Sequence, residues 1–175
     1  MWWFIVTDGL LFAGFLASYG YGRILAFNWP HQAEVFSLKY IAAMTFVLIS
    51  SSATMASAVH AMAEDKRRDA LKFVVLTAIG GIVFLGMQAY EWSHLIGEGA
   101  RLVRNPWGDA SFGAYFFLLT GFHGTHVLTG VVVLVSTAIR LAGNRSTKDG
   151  VEMAGLYWHF VDLVWVFIFT LFYLL

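Results

Sequence analysis

Residues 112–141 read FGAYFFLLTGFHGTHVLTGVVVLVSTAIRL, and this run decides the fold. It has no proline and no Asp, Glu or Lys, and its one arginine, Arg140, comes at the end. As an α-helix rising about 1.5 Å per residue, it is long enough to cross a hydrocarbon core of about 30 Å. His123 and His126 lie inside it. An ionisable group at membrane depth costs about 2.5–3.5 kcal/mol on insertion scales, so it persists only where it finds protein or water. The run predicts a spanning helix whose histidines mark where it packs or works.

Four more runs of the same kind surround it. The five predicted spans cover about 2–26, 38–63, 70–96, 112–141 and 152–175. Closed β-barrels are the other way across a bilayer, but they need short alternating strands, and these runs are continuously apolar. Of 175 residues, 59% are hydrophobic and 13% charged, against about 25% charged in an average soluble domain. The predicted fold is an all-α integral membrane bundle of five transmembrane helices, forming a single domain over residues 1–175. The opening Met1-Trp2-Trp3 lacks the basic flank of a signal peptide, so the first run is read as a membrane helix.

The breakers and charges fall between the runs. Residues 27–32 contain Asn28 and Pro30, and residues 97–111 contain Arg101, Arg104 and Asn105-Pro106-Trp107-Gly108. Residues 64–69 are the charge cluster Glu64-Asp65-Lys66-Arg67-Arg68-Asp69, and residues 143–150 are short and polar. Seven basic residues (Lys66, Arg67, Arg68, Lys72, Arg140, Arg145, Lys148) share a face with the N-terminus. Four (Arg23, Lys39, Arg101, Arg104) lie on the other face. The positive-inside rule then puts the N-terminus inside and the C-terminus outside. Lys66-Arg67-Arg68 is a topology signal whose interleaved acids weaken any attraction to anionic lipid.

Composition excludes several function classes. There is no cysteine, hence no disulfide, iron–sulfur cluster or thiolate metal site. Net charge is zero, so nothing electrostatic favours nucleic acid. No phosphate loop or nucleophile elbow occurs, and neither proline breaks a span in the manner of many transporters.

The polar residues at depth are the candidate site. Asp8, His123, His126, His159 and Asp162 come from three helices and fall in one slab of the membrane. His123-x-x-His126 and His159-x-x-Asp162 each set two side chains on one helix face. Such spacing can hold a metal given four ligands at one level, and equally serves as hydrogen-bonded glue between helices. Asp8 can handle a proton, hold an ion, or stay a neutral buried acid. Glu91 and His94 read as a polar anchor near the outer face, with His94 donating to Glu91, flanked by the interfacial aromatics Tyr90 and Trp92. Gly80, Gly81, Gly86, Gly121, Gly124 and Gly130, with the small residues of 50–57, suit close helix packing.

Thr120-Gly121-Phe122-His123-Gly124-Thr125-His126-Val127, with Tyr157-Trp158-His159-Phe160-Val161-Asp162-Leu163-Val164-Trp165, resembles subunit III of the haem–copper terminal oxidases, both cytochrome c and quinol oxidases. Gln88-Ala89-Tyr90-Glu91 resembles the family's Gln-Ala-x-Glu stretch. Trp3-Phe4-Ile5-Val6-Thr7-Asp8 with Phe12-Ala13-Gly14-Phe15 resembles the segment where the family usually carries Ser-Glu. The resemblance spans nearly the whole chain and departs from the common form twice. That form has seven helices, and this chain matches its last five, like the five-helix forms of quinol oxidases and some bacterial cytochrome c oxidases. Asp8 stands where the family's glutamate is usual and is one methylene shorter.

The resemblance implies a non-catalytic subunit in a bacterial inner membrane. It would pack against the oxidase's catalytic subunit I beside other respiratory subunits, sustain proton uptake there, and protect the active site during turnover. It also implies that no haem, copper or other metal is bound here. Haem and copper would sit in partner subunits, with membrane phospholipid the remaining ligand. On that reading Asp8, His123, His126, His159 and Asp162 form a buried polar network. The alternatives are an accessory subunit of a nitric oxide reductase and a stand-alone metal or proton transporter.

Overall fold

The computed structural model describes residues 1–109 and 111–174, with the side chains of Ala33 and Glu34 left aside. Leu175, placed by the sequence at the end of the fifth span, lies outside the described residues. The spanning helices are α1 (Trp2–Leu25), α3 (Leu38–Ala63), α4 (Arg67–Gly97), α5 (Ser111–Ala142) and α6 (Lys148–Ile168), with a short α2 (Gln32–Val35) after the first turn. All five long helices are apolar enough to cross a membrane. Among the described residues no strand forms, the nearest approach being an isolated bridge between Arg101 and Arg104. The structure therefore carries the predicted all-α class.

Helices α4, α5 and α6 extend past the predicted spans. Each extension takes in polar residues, Arg67 to Asp69 for α4, Ser111 for α5 and Lys148 to Gly150 for α6. Apolarity stops at the edge of the hydrocarbon, whereas backbone hydrogen bonding continues into the head-group layer. Capping fixes two of these starts. The Ser111 amide donates to Asp109 Oδ1 at 2.8 Å, and the Ser111 hydroxyl and amide together hold the Asp109 carboxyl below its ordinary range. The Gly150 amide donates to Thr147 Oγ1 at 3.1 Å. Helix α6 then passes into a wider π-wound end, Phe169–Leu174, which turns Phe172 and Tyr173 into the interior.

Helices α3, α4, α5 and α6 pack in sequence and close on themselves, α6 against α3, while α1 lies outside against α5 and α6. Only Asp8, Phe12 and Tyr19 of α1 are buried, one stripe at helical spacing. The two prolines mark one end of the bundle. There the Asp109 amide donates to the Asn28 carbonyl at 3.0 Å, joining the first and third connections. Gly108 makes this possible. It has φ +155°, and an added Cβ would stand 2.5 Å from the Asn28 carbonyl oxygen. At the charge-cluster end, Lys148 Nζ reaches Asp65 Oδ1 at 3.1 Å and the Ala63 carbonyl at 3.1 Å. Lys66 pairs with Glu64 at 2.7 Å and holds its carboxyl below the ordinary value, but both are exposed, and such pairs add little stability.

The ring is held by apolar packing and by polar stitches between helices. Trp158 and Trp165 of α6 donate their indole N–H groups to Ser51 and Thr45 of α3, at 3.1 and 3.0 Å. Trp92 of α4 donates to Thr120 of α5 at 3.1 Å. Tyr40 of α3 donates to the Met87 carbonyl of α4 at 2.9 Å. In lipid these bonds join helices that no hydrophobic force drives together, at about 0.6–2 kcal/mol each. The Trp158 ring fits because two facing helices present no side chain there. A Cβ on Gly81 would come within 2.5 Å of it, and one on Gly130 within 2.9 Å.

Candidate functional site

The polar residues read from the sequence divide into three places. The first joins α1 to α5. Asp8 Oδ2 stands 3.2 Å from His126 Nε2, with both side chains nearly enclosed, though off the direction of a full hydrogen bond. The other ring nitrogen, Nδ1, contacts the Phe122 carbonyl one turn earlier, at 2.8 Å. A carbonyl only accepts, so Nδ1 carries hydrogen, and in a neutral ring Nε2 is then a lone pair. A lone pair facing a carboxylate oxygen is repulsive. The two groups come into register when one proton lies between them, on Asp8 or on Nε2. Phe12 packs edge-on to His126 at 5.4 Å between ring centres, and Phe122 does so at 4.7 Å. Tyr157 of α6 donates to the His126 carbonyl at 3.1 Å.

The second place joins α6 to α3. His159 Nδ1 and Ser52 Oγ share a hydrogen bond of 2.6 Å, and the Asp162 carboxyl faces Ser52 and His159. Asp162 Oδ1 has no partner. Ser52 did not stand out in the sequence beyond its small-residue stretch. The signal available was its level, since Ser52 in α3 and His159 in α6 both lie near the middle of antiparallel helices.

His123 is the third, and it stands apart from both. It is fully buried, and neither ring nitrogen has a hydrogen-bond partner. Trp165 lies tilted by 30° to it at 5.2 Å between ring centres, and Phe84 meets it edge-on at 5.8 Å. It occupies a box of aromatic rings, Phe12, Phe84 and Trp165. Three residues along α5 from His126, it meets Phe84 of α4, Trp165 of α6 and, edge-on at 6.5 Å, Phe12 of α1, and no acid among the described residues. Among the described residues no three His, Cys, Asp or Glu side chains gather at metal-holding distance.

Glu91 differs from its sequence reading. It is buried, 6% exposed, and its Oε2 accepts from Tyr173 at 3.2 Å and from Gln88 Nε2 at 3.4 Å. His94 is exposed and turns to Glu98 at 3.7 Å, so the expected His94–Glu91 bond is not made. The π-wound end of α6 is the physical reason, because it carries Tyr173 over α4. Glu91 and His94 both line a cavity of about 270 Å³ between α3 and α4, with Tyr40 and Tyr90 on its walls.

Five helices, each long and apolar enough to cross a membrane, make the chain a multi-pass membrane protein. The family model for cytochrome c oxidase subunit III matches residues 1–175, and the chain belongs to that family. A probable quinol oxidase subunit 3 of Staphylococcus saprophyticus is 37% identical over 145 residues, covering 81% of this chain and 70% of the relative. The cytochrome c oxidase subunit 3 of Thermostichus vulcanus is 35% identical over 176 residues, covering 98% and 84%. The cytochrome bo(3) ubiquinol oxidase subunit 3 of Pseudomonas putida is 32% identical over 177 residues, covering 99% and 83%. The relatives thus include subunits of both cytochrome c and quinol oxidases.

Proposed function

We propose that this chain is the non-catalytic subunit III of a proton-pumping respiratory oxidase that reduces dioxygen to water. It packs against the haem-bearing catalytic subunit I in a bacterial inner membrane, with its N-terminus inside and C-terminus outside. Haem and copper belong to the partner subunits, and this chain contributes helix packing, a lipid-facing surface and proton handling.

The observation that carries the reading is the Asp8–His126 pair. It is an acid–imidazole contact set about seven residues, or roughly 10 Å, into α1 from the charge-cluster end. Helix α1 is the least covered helix of the bundle, so the pair lies close to whatever packs beside it. An acid and an imidazole in contact at that depth are placed to assist proton delivery in a neighbour without catalysing anything themselves. The other two polar places fit packing roles, His159 and Asp162 at a helix seam and His123 in an aromatic box.

Isolation of the tagged chain from native membranes tests the reading. A haem spectrum and oxygen consumption in the isolate are expected, with the catalytic subunit identified by mass spectrometry. An isolate without haem overturns the reading, and haems associated with nitric oxide reduction would move the chain to that complex.

A further inference from the structure

Between α4 and α5 the chain closes a tight hairpin. The Arg101 amide donates to the Arg104 carbonyl at 2.8 Å, and the Arg104 amide donates back to the Arg101 carbonyl at 3.3 Å. Leu102 and Val103 form the two-residue tip and are 58% and 86% exposed. The base of the hairpin is seated against the flank of α5. A Cβ on Gly113 would stand 2.5 Å from the Arg101 carbonyl oxygen and 3.5 Å from that of Arg104. Gly113 lies about thirteen residues, or roughly 20 Å, from the middle of α5. A hydrocarbon core ends about 15 Å from the midplane, and the head-group layer ends at about 20–22 Å. The base therefore lies at head-group depth. Both arginines are exposed, and neither guanidinium has an ion-pair partner among the described residues. The Asp109 carboxyl, a few residues on, is taken up by Ser111.

We infer that the Arg101–Arg104 hairpin is a lipid anchor. Its arginines hold phosphate groups of membrane phospholipid, and its Leu102–Val103 tip enters the acyl boundary beside them. Residues paired across a two-residue turn set their side chains on one face, so the two guanidinium groups flank the tip together. A guanidinium meets a phosphate through paired N–H donors, and its long stem keeps the charge at head-group level while apolar neighbours go deeper. The occupant follows from complementarity. A phospholipid leaflet offers phosphate and hydrocarbon at one depth, whereas a second copy of this chain would set arginine against arginine. The opposite end of the bundle behaves differently. There Lys66 and Lys148 are paired with Glu64 and Asp65 inside the chain. Phe27, fully exposed, adds a second apolar point at the hairpin's end, tied to it through the Asp109–Asn28 bond. The inference needs only a chain that crosses a membrane and stands apart from the oxidase reading.

The chain has no cysteine, so a spin label on Val103→Cys reports on the tip alone within this subunit. The test uses the chain isolated from native membranes with its associated subunits and returned to vesicles of phosphatidylcholine and phosphatidylglycerol. The unsubstituted chain, prepared alike, gives the background from other subunits. Lys66→Cys, exposed at the opposite end, is the aqueous reference. The label at 103 is expected to collide with oxygen, which concentrates in lipid, several-fold more than with a water-soluble nickel chelate, and the label at 66 to show the reverse. Arg101→Gln with Arg104→Gln then raises nickel collisions at 103 at least twofold. Where that double variant yields no protein, Arg104→Gln alone makes the same comparison. A label at 103 that meets nickel as freely as the one at 66 overturns the anchor. A label shielded from both reagents assigns the tip to a protein neighbour and overturns it as well. An oxygen preference that the glutamine variants leave unchanged overturns the phosphate contact, and with it the anchor as stated.

Discussion

Asp8 Oδ2 lies 3.2 Å from His126 Nε2, and this contact ties the least buried helix of the bundle to one of its four central helices. His126 Nδ1 contacts the Phe122 carbonyl at 2.8 Å, so Nε2 is the nitrogen left to face the acid. Asp8→Asn keeps the shape and can donate an amide hydrogen to Nε2, but it removes the titratable oxygen. The expected outcome is normal haem content and normal α1 packing, with slower proton uptake or several-fold faster inactivation during turnover. Oxygen-consumption progress curves and the haem spectrum check it, and loss of haem would point to a structural role instead. Asp8→Leu leaves Nε2 with no partner and is expected to cost about 1–3 kcal/mol in stability.

Trp158 fills the space opened by Gly81 and Gly130, where added Cβ atoms would meet its ring at 2.5 and 2.9 Å. Gly81→Ala is also hemmed by Val131 at 2.7 Å, so it is expected to overpack the ring and cost about 1–3 kcal/mol. Gly124→Ala meets nothing within 4 Å and should be neutral. Thermal unfolding in detergent separates them. Adding Trp158→Phe to Gly81→Ala should recover part of the loss, and strict additivity in that double-mutant cycle would mean the glycine serves some other neighbour.

His123 has no polar partner to lose, so His123→Phe should leave stability and assembly unchanged or improve them. His123→Ala, by contrast, opens a hole beside Trp165 and Phe84 and is expected to cost on the order of 2–5 kcal/mol. Purified yield and melting temperature report on both. If the phenylalanine variant behaves like the alanine one, the imidazole has a specific partner.

The spans were legible because a bilayer demands long apolar runs, and residues 112–141 satisfy that demand without ambiguity. Helix ends were less so. Arg67, Arg68 and Lys148 continue helices beyond the hydrocarbon, where long side chains reach water and apolarity no longer marks the boundary. Asp8 and His126 were legible as polar residues at one level, but not as a pair apart from His123. The i, i+3 spacing puts His123 and His126 on one face, and only the positions of α1 and α6 decide that one meets an acid and the other an aromatic box. The partner of Glu91 was not legible, because it depends on the π-wound turn that brings Tyr173 across, a change of winding that no apolar pattern records.

That same turn supplies the last prediction. Tyr173 donates to Glu91 Oε2 at 3.2 Å, and Glu91 Oε1 has no partner. Tyr173→Phe keeps the ring packed against Phe36, whose centre lies 4.7 Å away, and removes only the hydroxyl. The carboxyl is then left with Gln88 Nε2 at 3.4 Å, a long bond. A buried acceptor losing its better donor costs about 1–3 kcal/mol. The loss should concentrate at the α6 terminus, since Tyr173 is the residue that fastens Phe169–Leu174 to α4. Hydrogen exchange in the terminal turn is expected to quicken while the α3–α4 amides keep their protection. Pairing Tyr173→Phe with Glu91→Leu removes donor and acceptor together and should restore much of the stability, because two apolar partners leave nothing unsatisfied. Failure of the double variant to recover would mean that Glu91 is held by a donor outside this chain, through the 270 Å³ cavity that it lines.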